Sequence, residues 1–205
     1  RINEGDILKS VLLSDMEKIK ITVDEIDQES FNNAVESILT AKRIYILGVR
    51  SSAPLASFLG FYFNLMFDNI RLVHTTSVSE MFEQIIKASE EDVVIGISFP
   101  RYSKRTIKAM QFVKSQGATV VAITDSLESP LAAEANHNLI ARSDMASFVD
   151  SLVAPLSVIN ALIVAVGMRK KDQVYETFEK LEKIWDEYQV YEKYDNAEIH
   201  KKQDY

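Results

Sequence analysis

Five short apolar runs, Arg43–Leu47, Ile70–Val73, Val93–Ile97, Thr119–Thr124 and Asn138–Ala141, alternate with stretches of helical spacing. No other feature limits the possible folds so closely. Runs of four to six residues, β-branched and bounded by polar turns, read as strands buried on both faces. Strand and helix in strict alternation give βαβ units and therefore parallel pairing, with helices on both sides of the sheet. The expected fold class is α/β: a three-layer α-β-α sandwich around a five-stranded parallel sheet, with flanking N- and C-terminal helices.

The helices are read from spacing and punctuation. Residues 4–22 put Leu8, Leu12 and Ile19 on one stripe, with Ile7 and Val11 beside it, and Thr22–Asp24 reads as a break. Asp27 or Ser30 can cap a second helix through Phe31, Val35 and Ile38, ending near Ala41. After the first strand, Ser52 is a plausible N-cap and Pro54 falls in the first turn of a helix running through Leu55, Leu59, Phe63 and Met66. Ser77 or Ser79 can cap a helix through Met81, Ile85 and Ile86. A helix over 104–115 stops at Gln116-Gly117. A short helix is predicted over 130–135, and a long apolar one from Phe148 through Leu152 and Ile159 to Val166. Val174, Phe178, Leu181, Trp185 and Tyr188 then alternate by four and three, a coiled-coil-like seam. The charged residues 192–205 read as a frayed tail.

The stretch Val93–Thr106, VVIGISFPRYSKRT, carries the densest chemistry. A strand runs into a loop of Ser98, Arg101, Tyr102 and Ser103, and Ser103 can cap the next helix with Thr106 three residues on. The first N–H groups of a helix lack partners and its dipole is positive there, so such a loop can hold an anion. By itself it reads equally well as an ordinary capped helix with solvated charges. What tips the balance is convergence. Every hydroxyl-rich loop in the chain follows a strand, on the one sheet edge where open α/β folds bind ligands.

Composition excludes several classes. Without cysteine there is neither disulfide nor thiolate metal site, and a cytoplasmic location is expected. His74, His137 and His200 show no metal-ligand spacing. The net charge of −7 is spread without a basic face, which argues against this chain itself gripping nucleic acid. No apolar run has the length of a membrane span. GxGxxG and GxxxxGK[ST] are absent, and six glycines leave little for a glycine-rich phosphate cradle. No cofactor and no metal are expected; hydroxyls and arginines must do the holding.

Three stretches resemble the sugar isomerase (SIS) domain, and specifically the effector domain of RpiR-type transcriptional regulators. RIYILGVRSSAPLA (43–56) resembles the first SIS loop, with Ser52 at the phosphosugar-contacting serine and Arg50 where many SIS domains have glycine. ISFPRYSKRT (97–106) resembles the regulator form of the second loop, with Ser103 and Thr106 at its phosphate-binding hydroxyls. SFVDSLVAPLSVINALIVAV (147–166) resembles the long helix after the last strand. The resemblance implies a ligand site of Arg50, Ser51, Ser52, Ser98, Arg101, Tyr102, Ser103 and Thr106, without catalytic residues. It also implies a division into a connecting helix at 1–24, an SIS phosphosugar-binding domain at 25–170, and a C-terminal helix and tail at 171–205. The chain opens on Arg1 rather than Met, and DNA contact would fall to a helix-turn-helix domain not present in it. Partners implied are a sugar phosphate and further copies of the chain, as a homodimer or homotetramer, but no membrane.

The rival reading is an SIS-type aldose–ketose isomerase. It needs a positioned base to move a proton between adjacent carbons. Glu80 and His137 are the candidates, each with a plainer reading: a first-turn glutamate favoured by the helix dipole, and an exposed turn residue. Asp125, after the fourth strand, reads as either a turn residue or a ligand contact.

Overall fold

A computed structural model describes residues 6–75, 77–144 and 149–191. The chain divides into two units, one through Arg169 and one from Lys170. The first holds helices α1 (Ile7–Glu25) and α2 (Gln28–Thr40), strand β1 (Arg43–Gly48), α3 (Ala53–Asn64), β2 (Ile70–Val73) and α4 (Val78–Ile85). β3 (Asp92–Ile97), α5 (Lys104–Ser115), β4 (Thr119–Thr124), β5 (His137–Ile140) and α6 (Val153–Arg169) complete it. The second unit is α7 (Lys171–Glu187), none of whose residues is buried; Trp185 meets Tyr191 edge-on at 5.1 Å.

All five strands are parallel, in the order β2-β1-β3-β4-β5. Every residue of β3 is buried, as is all of β4 after Thr119, which is why these strands read as unbroken apolar runs. Tyr45, Leu47, Val94, Val120 and Ala122 join Met81, Ile85, Met110 and Val113 of α4 and α5 in one core layer. α3 packs on β1 and β2, α2 on β5, and α6 on α2 and α3. This is the expected three-layer sandwich. From β1 the chain moves outward to β2, then returns past β1 to β3. The carboxyl ends of β1 and β3 therefore face a crevice at the topological switch point, where sheets of this order hold ligands.

Several local expectations are corrected. α1 does not break at Thr22–Asp24. The Thr22 hydroxyl donates to the Lys18 carbonyl at 2.8 Å and accepts from the Arg142 N–H at 3.0 Å, so the residue is satisfied inside the helix. The apolar stripe of α1 is not its packed face: Leu8 and Leu12 are 74% and 55% exposed, while Lys18 and Thr22 are buried. That polar face docks by hydrogen bonds, including a paired contact of the Arg142 guanidinium with Glu25 at 2.6 and 2.7 Å. Asp27, not Ser30, caps α2, accepting from the Glu29 N–H at 2.9 Å. Ser30 instead exchanges bonds with the Asn138 backbone, stitching α2 to β5.

The helix expected over 130–135 is a single 3-10 turn, Ala132–Glu134. Asn136 is already bonded to both the N–H and the carbonyl of Val120, so β5 begins too soon for more. α6 starts at Val153 rather than near residue 148; Phe148 lies outside the described residues, as does the tail at 192–205. Ser143 donates to the Ser151 carbonyl at 3.0 Å and holds the approach to α6 out of the helix. No single helix among the described residues is long and apolar enough to cross a membrane.

Candidate functional site

The two loops at the switch point are built alike. β1 ends at Gly48, where an added Cβ would lie 2.7 Å from the Ser52 carbonyl oxygen and 3.1 Å from the Ala56 Cβ. Only glycine lets the following 3-10 turn, Arg50–Ser52, fold back against the strand end. The turn closes with the Ser52 N–H donating to the Val49 carbonyl, and Arg50 takes a left-handed φ of 56°. At the end of β3, the Ser98 N–H donates to the Ile123 carbonyl, and the Ser98 hydroxyl accepts from the Ser103 N–H at 3.3 Å. This folds the loop over, and Arg101 takes a left-handed φ of 60°. Arg50 and Arg101 are two of the three non-glycine residues with positive φ among the described residues. Such strain persists only where surrounding structure fixes it, and it concentrates at ligand sites.

A cleft in two lobes opens between these loops, with Val49, Arg50, Arg101 and Ser103 shared by both. The larger lobe, about 710 Å³, has Arg50, Arg101, Lys104 and Arg105 as its charged lining; Tyr102, His74 and Thr75 supply further polar groups. The smaller, about 480 Å³, presents Ser51, Ser52, Ser98 and Ser103, with Asp150 on the far wall. Both volumes suit a small ligand. One lobe is cationic and the other is rich in hydroxyls.

Of the eight residues named from sequence, seven line this cleft, and Thr106 does not. Thr106 is fully buried in the first turn of α5, and its hydroxyl has no hydrogen-bond partner among the described residues. Ser103 caps α5 as expected, accepting from the Thr106 N–H at 3.4 Å. Ser52 precedes α3 but makes no capping bond, because its αR backbone continues the 3-10 turn. The Tyr102 hydroxyl donates to Asp125 at 2.9 Å. Burial first, then the bond and charge of Asp125, push the Tyr102 phenol up to about 12. Asp125 is thus a partner that positions Tyr102.

The isomerase candidates do not converge. Glu80 lines neither lobe and accepts from the Thr75 hydroxyl at 2.5 Å. His137 opens β5, at the opposite edge of the sheet from the cleft, with Nε2 3.1 Å from the Ser37 hydroxyl. Burial holds its pKa below the usual imidazole range. The described residues contain no group of three or more His, Asp or Glu able to hold a metal ion.

Reasoning from sequence missed Lys104, Arg105 and Asp150. The first two carried a signal: basic residues in the first turn of a helix oppose its dipole, and an anion offsets that. Asp150 carried none, because only the return of the chain along the sheet brings the start of α6 to loops some fifty and one hundred residues earlier.

These features define an α/β domain with a candidate ligand site at a switch point. The SIS domain family model matches residues 37–165, and the chain belongs to that family. It is 27% identical over 185 residues to an uncharacterized HTH-type transcriptional regulator of Caldanaerobacter subterraneus, covering 87% of this chain and 64% of the regulator. The chain thus spans less than two thirds of that curated relative. The sugar isomerase domain of an RpiR transcription factor from Sphaerobacter thermophilus has the same fold, with a TM-score of 0.81 at 24% identity, covering 87% of this chain and 99% of that domain. Vibrio vulnificus NanR, solved with ManNAc-6P, gives a TM-score of 0.76 at 21% identity, covering 88% of this chain and 70% of NanR.

Proposed function

We propose that this chain is the sugar-phosphate-sensing effector domain of an RpiR-type transcriptional regulator, acting in the cytoplasm without chemistry of its own. The observation that carries the reading is the pair of left-handed arginines, Arg50 and Arg101, shared by a cationic lobe and a hydroxyl-rich lobe. Arg50 and Arg101 give charge-assisted bonds to phosphate, helped by Ser52, Ser103 and the N–H groups that open α3 and α5. Ser51, Ser98 and Tyr102 complete the contacts, and Thr106 supports Ser103 from behind. The ManNAc-6P complex of NanR supports the ligand class. Residues 1–24 serve as the connector to a helix-turn-helix DNA-binding domain, 25–170 as the sensor, and 171–205 as a C-terminal helix and tail. Ligand shifts the balance between arrangements of a homodimer or homotetramer, and so changes DNA binding.

A thermal-shift panel of sugar phosphates against the unphosphorylated sugars tests this, since ligand bound only to the native state raises the melting temperature. A shift with a phosphorylated sugar, lost in Ser52→Ala and Ser103→Ala, is expected. Isomerisation of that sugar in the same tube, followed by NMR, would favour the isomerase. His137 opens β5 away from the cleft, and Glu80 lines neither lobe and is held by Thr75 at the rim of the larger one, which disfavours that outcome.

A further inference from the structure

The smaller lobe contains a carboxylate with one oxygen that no described residue bonds. Asp150 lines it opposite Ser51, Ser52 and Ser98, and its Oδ1 is buried without a hydrogen-bond partner among the described residues. A buried polar atom left unpaired is costly, the more so when charged, and native structures keep few of them. A carboxylate only accepts hydrogen bonds, so whatever fills the lobe must bring a donor. The phosphate end of a ligand brings negative charge instead, and its favourable partners are Arg50, Arg101 and Ser103 on the wall shared with the basic lobe, with Lys104 and Arg105 beyond them. The shared wall at Arg50 and Arg101 sets the polarity of the ligand.

We infer that Asp150 is a specificity-determining residue that accepts a hydrogen bond from a hydroxyl on the sugar carbons, while the phosphate lies toward the basic lobe. This rests on the sugar-phosphate reading and deepens it. A site with a buried acceptor discriminates strongly against ligands lacking the matching donor, because the acceptor is then left unpaired. Inorganic phosphate fills only the basic end and does not meet Asp150.

The test is isothermal titration of wild type, Asp150→Asn and Asp150→Ala with ManNAc 6-phosphate, glucose 6-phosphate, ribose 5-phosphate and inorganic phosphate. Asp150→Ala should weaken the sugar phosphate that binds wild type at least tenfold and Asp150→Asn less, since its amide oxygen still accepts, while inorganic phosphate changes less than twofold. The unliganded melting temperature of Asp150→Asn should hold or rise, since the variant places a neutral group where the buried oxygen has no donor. Equal weakening of both ligand types, no weakening of either, or a lowered melting temperature with unchanged affinity overturns the assignment. If wild type binds inorganic phosphate but none of the sugars, the sugar-phosphate reading itself falls, and Asp150 with it.

Discussion

The Ser151 hydroxyl donates to Asp15 Oδ1 of α1 at 2.6 Å, one residue along from the carboxylate on the cleft wall. The same Asp15 oxygen lies 3.5 Å from Lys18 Nζ, which also donates to the Ser14 hydroxyl at 3.0 Å. A polar strip therefore joins the approach to α6, and with it the edge of the cleft, to the N-terminal helix. Ser151→Ala removes a hydrogen bond to a charged acceptor, worth about 1.5 kcal/mol. Amides of α1 should exchange roughly tenfold faster as a local opening, with α5 unchanged. Hydrogen exchange followed by mass spectrometry reads this directly. Uniform acceleration over the whole domain would mean the bond belongs to the global core.

Arg50 and Arg101 set stability against function. A non-glycine residue in the left-handed region costs on the order of 1 kcal/mol, which glycine relieves. Arg50→Gly and Arg101→Gly should each raise the melting temperature by a few degrees and weaken sugar-phosphate binding at least tenfold. Thermal melts and titration calorimetry on the same preparations check both signs. A lowered melting temperature would show that these arginines brace the loops.

The sheet was legible because its strands are buried on both faces and punctuated by turn residues. Asp92 to Ile97 and Thr119 to Thr124 announce themselves. The edge that carries the candidate site was legible too: hydroxyls that follow parallel strands must gather at the carboxyl end. What one sequence could not give was contact across the chain. Thr22 reads as a helix break until Arg142 is seen to bond it. Leu8 and Leu12 imply the wrong packed face for α1, because its docking is polar. His137 looked available as a base until β5 put it at the far edge of the sheet.

At that far edge, Arg43 pairs with Asp92 through two bonds of 2.9 and 2.7 Å, and the Asp92 side chain is fully buried. Burial alone would raise the Asp92 pKa, but Arg43 and the Ser89 N–H and hydroxyl hold it below the usual carboxylate range. A carboxyl depressed in the folded state adds stability that is present above its unfolded pKa of about 4 and lost as the pH falls through the folded value. Arg43→Ala leaves that charge buried and unpaired, costing about 3 kcal/mol at neutral pH. Urea melts across the acid range should show wild type losing stability below pH 4 and the variant losing less. Parallel curves would mean that Asp92 does not carry the acid limb.

Tyr102 makes the opposite prediction at alkaline pH. Burial and the Asp125 bond push its phenol to about 12, above an unfolded value of about 10. The proton is held more tightly in the folded chain. The resulting stability is complete below pH 10 and is lost as the pH rises through 12. The phenolate absorbance of wild type minus that of Tyr102→Phe should isolate one late titration. Asp125→Asn should move it down without returning it to the ordinary value, because burial is the larger cause. The position matters for the cleft, since Tyr102 lines the basic lobe beside Arg101 and Ser103. Kept neutral, it brings no negative charge toward a bound phosphate. With the charge of Asp125 gone, the bond that fixes the ring's direction weakens, so Asp125→Asn should also weaken sugar-phosphate binding severalfold at neutral pH, where the phenol is protonated in both proteins. A shifted titration with unchanged affinity would place Tyr102 outside the ligand contacts and leave Asp125 a purely structural partner.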